Sequence, residues 1–216
     1  APSAKATAGS TAALSLPDKP SIAVLPFVNM SEDPKQEYFS DGMTEDVITS
    51  LSKLSGLFVI ARNSVFTYKG RAVKPEQVSR ELGVRYVLEG SVRKSENHVR
   101  ITAQLIDATT GYHLWAEHYD GELKDIFALQ DRITRQIVAA LAPKLTAQEQ
   151  SRSGRQETNS IQAYDHFLRG VALFYEYRKE TNAMARQMFE RAIALDSKYA
   201  RAYVWLSWGY FVDWEF

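Results

Sequence analysis

HVRITAQLID, residues 98–107, alternates without interruption: Val99, Ile101, Ala103 and Leu105 are apolar, and Arg100, Thr102 and Gln104 between them are polar. A period of two marks a strand with one face on a core and the other toward water. Working outward, 84–94 places Val84, Tyr86, Leu88 and Val92 on one side of a second strand, and 112–119 supplies a third. The links at 95–97 and 108–111 are short and turn-like, which permits antiparallel hairpins. Upstream, SIAVLPFV (21–28) and LFVIA (57–61) are continuous apolar runs, the pattern of strands buried on both faces. Between them Met43, Val47, Leu51 and Leu54 step by four, four and three. That spacing predicts a helix over 41–54, capped by Ser40 or Asp41 and ended by Gly56. A loop over 62–74 leads to a short helix at 75–82, with Pro75 just inside its start, Gly83 just past its end, and Val78 and Leu82 inward. Leu129, Ile133, Ile137 and Leu141 predict a long helix over 123–145, which Pro143 kinks or ends. The order βαβαβββα over 20–145 specifies an α/β domain with a mixed sheet.

Residues 1–19 are rich in Ala, Ser, Thr and Pro and read as a flexible linker, and 146–160 as a second one. From 161 to 216 the pattern is all-α. Ala163–Tyr164 and Ala202–Tyr203 open two similar segments 39 positions apart. A tetratricopeptide (TPR) repeat has a period of about 34, so an insertion of about five residues is expected in the turn at 177–181. Ala185, Phe189 and Ala192, followed by Leu195–Asp196–Ser197, fit the second helix of such a repeat, with Ser197 where proline is usual. Tyr203, Leu206, Ser207 and Tyr210 fit the opening of the next. The plainer alternative is a helical hairpin docked on the α/β unit. Trp205, Leu206, Trp208, Tyr210, Phe211, Trp214 and Phe216 crowd the last segment and need cover. That cover would come from further repeats of a parent protein, from the first domain, or from a second copy in a homo-oligomer. Tyr164, Tyr203, Trp205 and Trp208 are the candidate partner-binding residues of the TPR groove.

Composition narrows the chemistry. Lys+Arg and Asp+Glu are both 26, a balance that argues against a dedicated nucleic-acid binder. There is no cysteine, which removes disulfides, thiolate nucleophiles and cysteine-held metals. No apolar run reaches the roughly 18 residues that cross a bilayer. The chain begins at Ala1 without Met and reads as a piece of a longer protein or a processed form. Neither a phosphate-binding glycine loop nor a nucleophile elbow is present. His113 and His118 lie five apart on a strand and so are expected on opposite faces; His98 and His166 stand alone. Asp41, Glu45 and Asp46 could hold a divalent cation or simply suit a helix start. Arg62, Asn63 and Ser64 follow the second buried strand, where a phosphate or carboxylate could bind. Against that stands a simple loop-anchoring role. Trp115 and Tyr119 read as packing residues. No metal, cofactor or catalytic residue is assigned.

A family emerges from four strings: PSIAVLPFVNMSEDPKQEYFSDGMTEDVITSLSKL, LFVIARNSVFTYKG, ELGVRYVLEGSVRK and VRITAQLIDATTGYHLWAEHYD. Together they resemble the TolB amino-terminal-like domain, in the version found in bacterial class III adenylate cyclases and related regulators, where it precedes TPR repeats. The resemblance covers about 20–145, and the TPR part begins near 161. It implies that catalysis belongs to a separate amino-terminal output domain outside this chain, so no catalytic residue is carried over. The expected role is a non-catalytic regulatory module that relays or senses through the α/β unit and binds a protein or peptide through TPR helices. The alternatives are a small-ligand sensor for an anion or nucleotide, and part of a cyclase whose catalytic domain lies elsewhere. The cytoplasm is the expected compartment, with the periplasmic side of a membrane-anchored parent as the alternative.

Overall fold

The computed structural model describes residues 19–141 and 157–214. Most of both expected linkers, Pro143 and Phe216 lie outside these residues.

The first apolar run does not form one strand. β1 (Ser21–Val24) is wholly buried, and β2 (Val28–Asn29) follows after a break at Pro26, which has no N–H to give a ladder. Both pair in parallel with β4 (Tyr86–Ser95), in the registers Val24↔Leu88 and Val28↔Ser91. Leu25, Pro26 and Phe27 therefore oppose only Glu89 and Gly90, a bulge. The Phe27 N–H, freed from the ladder, donates to Thr44 Oγ1 at 2.9 Å. A Cβ at Gly90 would lie 2.6 Å from the Thr102 carbonyl oxygen and 2.8 Å from the Phe27 ring, so the bulge requires glycine there.

The sheet runs β3–β1–β4–β5–β6, where β3 is Phe58–Val59, β5 is His98–Asp107 and β6 is Tyr112–Glu122. β3 pairs in parallel with β1, while β4–β5–β6 are antiparallel. The expectation of a doubly buried strand at 57–61 is corrected: β3 is a two-residue edge strand whose Phe58 is 54% exposed.

α1 (Glu37–Ser52) starts earlier than its apolar stripe, so Ser40 and Asp41 lie inside the helix rather than capping it. The segment at 62–74 is not all loop, because Arg62–Phe66 forms the short helix α2. α3 (Pro75–Leu82) has the expected ends, with Gly83 left-handed at φ 65°. α4 (Ile126–Leu141) follows a 3₁₀ turn at Leu123–Asp125 and buries Leu129, Ile133, Ile137 and Leu141.

α1 and α4 pack together on the face that carries Leu88, Ile101 and Leu105. The chain leaves β1 for β3 in one direction and returns past β1 to β4 in the other. Right-handed crossovers then put α3 on the opposite face, over Val87. β6 holds a register shift opposite Leu105 and Ile106, which places Leu114 out of step. His113 (facing Ile106) and His118 (facing Thr102) thus share one face, contrary to simple alternation. About four register steps, some 13 Å, still separate them.

The C-terminal segment is three helices: α5 (Ile161–Tyr175), α6 (Lys179–Leu195) and α7 (Ala200–Asp213), each packed on the next. Ala185, Phe189 and Ala192 are completely buried. Gly170 admits the Phe189 ring, which a Cβ there would meet at 2.5 Å. Residues 176–178 connect α5 to α6, so the extra length expected at 177–181 is taken up by the helices. The end of the expected second linker is pinned as well: Thr158 Oγ1 donates to Asp196 at 2.6 Å, and Ser160 caps α5. One continuous core runs through both units.

Candidate functional site

The two units meet where α5 packs on α1 and Arg201 of α7 reaches the same helix. Gly42 marks the centre of this seam, since any Cβ there would overlap Leu168. Phe39, Phe127 and Tyr164 meet edge to face around it, with ring centroids 5.1–6.4 Å apart. Charged side chains lie on either side of this apolar centre.

On one side Arg201 of α7 reaches back to α1. Its guanidinium pairs with Asp46 Oδ1 at 2.5 Å, Glu45 Oε1 at 3.2 Å and Glu157 Oε2 at 3.6 Å. Gln130 of α4 donates to Asp46 Oδ2 at 2.9 Å and to the Tyr164 hydroxyl at 2.8 Å, and that hydroxyl donates to Asp46. Arg62 lies 3.2 Å from Glu45 Oε2, with its guanidinium stacked between the rings of Phe66 (3.7 Å) and Tyr175 (3.6 Å). Burial pushes the Glu45 carboxyl above its usual range, and Arg201 and Arg62 only partly offset that. Burial also works against the charge on Arg201, but Asp46, Tyr199 and Glu45 outweigh it and hold the guanidinium firmly protonated. Burial, with the Asp46 charge beside it, drives the Tyr164 hydroxyl far above the ordinary phenol range. A cavity of about 50 Å³ between Asp46, Gln130, Tyr164 and Arg201 leaves little room for any ligand larger than water.

On the other side Asp165 of α5 accepts from Tyr38 at 2.5 Å and from Arg169 at 2.7 Å, with Lys94 of β4 at 3.5 Å. Burial raises the Asp165 carboxyl, but the hydrogen bonds of Tyr38 and Arg169 prevail and hold it below its ordinary value.

These contacts place the residues singled out from sequence. Asp41, Glu45 and Asp46 do not sit in the first turn of α1; Lys69 (2.5 Å from Asp41), Arg62 and Arg201 pair with them. Among the described residues no group of three or more His, Asp and Glu could hold a metal. Arg62 is committed to the seam, while Asn63 and Ser64 are exposed on the first turn of α2, so the structure does not bring the three together around a ligand. Tyr164, at 3% exposure, belongs to the seam and cannot face a partner. Trp205 is half-buried among Phe167, Phe174, Tyr175 and Phe189. Tyr203 (47% exposed) and Trp208 (53%) do face outward, beside Val204 and Phe211. Trp115 and Tyr119 pack at the β6 edge, with centroids 6.3 Å apart. Sequence reasoning missed Arg201. Its signal was a lone cation beside Ala202, the fully buried residue of α7, to be matched with the acidic pair on α1.

Residues 18–136 match the family model described as HilA/YgeH-like transcriptional regulator, second domain. The chain belongs to that family. It is 56% identical over 192 residues, 89% of its length, to a protein of Rhizobium meliloti (strain 1021) named "Putative adenylate cyclase 3". It spans 33% of that relative's length. Among solved structures, TolB from Acinetobacter baumannii aligns with 60% of this chain and 30% of its own, at 18% identity and TM-score 0.44. The LpoB C-terminal domain from Escherichia coli aligns with 53% of this chain and 87% of its own, at 16% identity and TM-score 0.39. None of the described helices is long and apolar enough to cross a membrane.

Proposed function

We propose that this chain is a non-catalytic regulatory and protein-interaction module of a larger bacterial signalling protein whose output domain lies elsewhere in the parent chain. In this reading helices α5–α7 open a TPR array that binds a protein or peptide in its concave groove. The α/β unit relays that event to an output domain, a cyclase or a transcriptional regulator, in the cytoplasm. The observation that carries the reading is the closure of Arg201 on Glu45 and Asp46: occupancy of the helices cannot change their packing without disturbing α1. The family description and the relative's name are consistent with an output domain outside this stretch. The decisive test compares the output activity of a full-length parent with one lacking residues 20–216 and with one carrying Arg201→Ala. Altered output or altered response to a partner in both variants is expected. Unchanged behaviour of both would sink the reading.

A second reading, small-ligand sensing, draws support from a groove on the far side of the sheet.

A further inference from the structure

In the sheet order β3–β1–β4, the chain leaves β1 and arrives at β4 through helices on opposite faces. Beyond the carboxyl end of β1 the bulge and β2 keep the place beside β4 filled. A groove of about 600 Å³, within the range of small-molecule sites, lies against the bulge, over β4 and β5 on the sheet face away from α1. The loop that forms one of its walls is tied to α1 by Lys69, which pairs with Glu37 and Asp41.

The floor of the groove is a square of short polar side chains. Glu89 and Ser91 on β4 stand directly opposite Gln104 and Thr102 on β5, on the face away from α1. Gln104 Nε2 donates to Glu89 Oε2 at 2.9 Å, which fixes both side chains and leaves Glu89 Oε1 and Gln104 Oε1 as acceptors. The hydroxyls of Ser91 and Thr102 make no hydrogen bond to other described residues. One wall is aliphatic, lined at the bulge by Leu25, Pro26 and Val28; Leu25 is buried and Val28 is 57% exposed. The facing loop carries Arg71, the one cation among the lining residues.

We infer that this groove binds a phosphorylated sugar, either free or as the ribose of a mononucleotide. An acceptor-rich floor selects a ligand with several hydroxyl donors, and Glu89 is placed to take a vicinal diol. The fork of Arg71 takes the phosphate. The aliphatic wall receives the sugar edge or the flat face of a base. The inference deepens the ligand-sensing reading and stands independently of the helical array.

The test is calorimetric titration of the chain with adenosine 5′-monophosphate, ribose 5-phosphate, adenosine and inorganic phosphate, each also followed by thermal denaturation. Saturable binding of one or both phosphorylated sugars is expected. Arg71→Ala and Glu89→Gln should each weaken it by about tenfold or more, the loss of one charged hydrogen-bonded contact. Arg71 is exposed and Glu89 half-buried, and a glutamine at 89 can still accept from Gln104, so the unliganded melting temperature of each variant should match the parent and separate lost binding from lost folding. Equal affinity for both phosphorylated compounds identifies the sugar phosphate as the recognised unit. Binding of the nucleotide alone adds base contact with the aliphatic wall. If neither phosphorylated sugar binds, if inorganic phosphate binds as well as both do, or if binding survives both substitutions, the assignment is overturned. Because this reads binding alone, its failure leaves the coupling of the helices to α1 untouched.

Discussion

The inner face of α5 and the outer face of α7 carry similar aromatic and aliphatic side chains and have opposite fates. On α5, Tyr164, Phe167 and Leu168 are buried, because α1 offers Gly42 as a slot and α7 offers Arg201 to neutralise the carboxylates beside it. On α7, Val204, Trp208 and Phe211 form a stripe at steps of four and three that no described element covers. What decides between core and open surface is a shaped, charge-matched neighbour rather than the residues themselves. The seam is therefore an internal joint and the stripe an unsatisfied one.

The sharpest way to break this contrast is Arg201→Ala. Leaving Asp46 without its ion-pair partner and Glu45 with Arg62 alone should cost about 3–5 kcal/mol, the usual penalty for breaking a buried ion pair. Urea denaturation measures it, and a loss below about 1 kcal/mol would mark the pair as an ordinary surface contact. Next is Gly42→Val, which forces Leu168 out of its slot and should cost about 1–3 kcal/mol by overpacking. An unchanged midpoint would show that the units are not in close contact there.

A smaller effect separates the two charged sides of the seam by pH. The Glu45 carboxyl titrates above its ordinary value in the fold, so its stabilising contribution is complete below that value and is lost as pH rises through the raised one. Asp165 is held below its ordinary value, so its contribution is present above that value and lost as pH falls through the lowered one. Glu45→Gln should therefore gain on the parent as pH rises from about 4 toward 7, and Asp165→Asn should converge with it below about pH 4. Denaturation curves at several pH values check both slopes. The smallest effect belongs to the open stripe. Trp208→Ser with Phe211→Ser should change stability by no more than about 0.5 kcal/mol each, as exposed positions do. A large loss would mean that the face is already covered within this chain.

Much of the fold could be read directly, and the reasons differ by element. β5 came out with its residues in place because a half-buried strand imprints its period of two. α3 came out because Pro75 and Gly83 bracket it, and α4 because its stripe is unbroken. The start of α1 was misplaced because Ser40 has the chemistry of a cap while its neighbours Tyr38 and Phe39 are already packed. The parity of His113 and His118 failed because the irregularity near Leu114 exists only in the pairing of two strands. The seam was least legible. Glu45 and Asp46 are locally indistinguishable from solvated charges, and their partners on α2 and α7 are fixed by tertiary packing. The groove over β4 and β5 escaped for a related reason, since it forms only where the Pro26 break sets β2 beside β4.

The bond from Arg201 to Asp46 spans 155 positions. A chain made in order at roughly 5–20 residues per second completes α1 on the order of ten seconds before its counter-charge is synthesised. For that interval Asp46 lacks its ion-pair partner, and until Leu168 is made the glycine notch beside it is empty. Anything that binds this face during translation would compete with the protein's own closing helix.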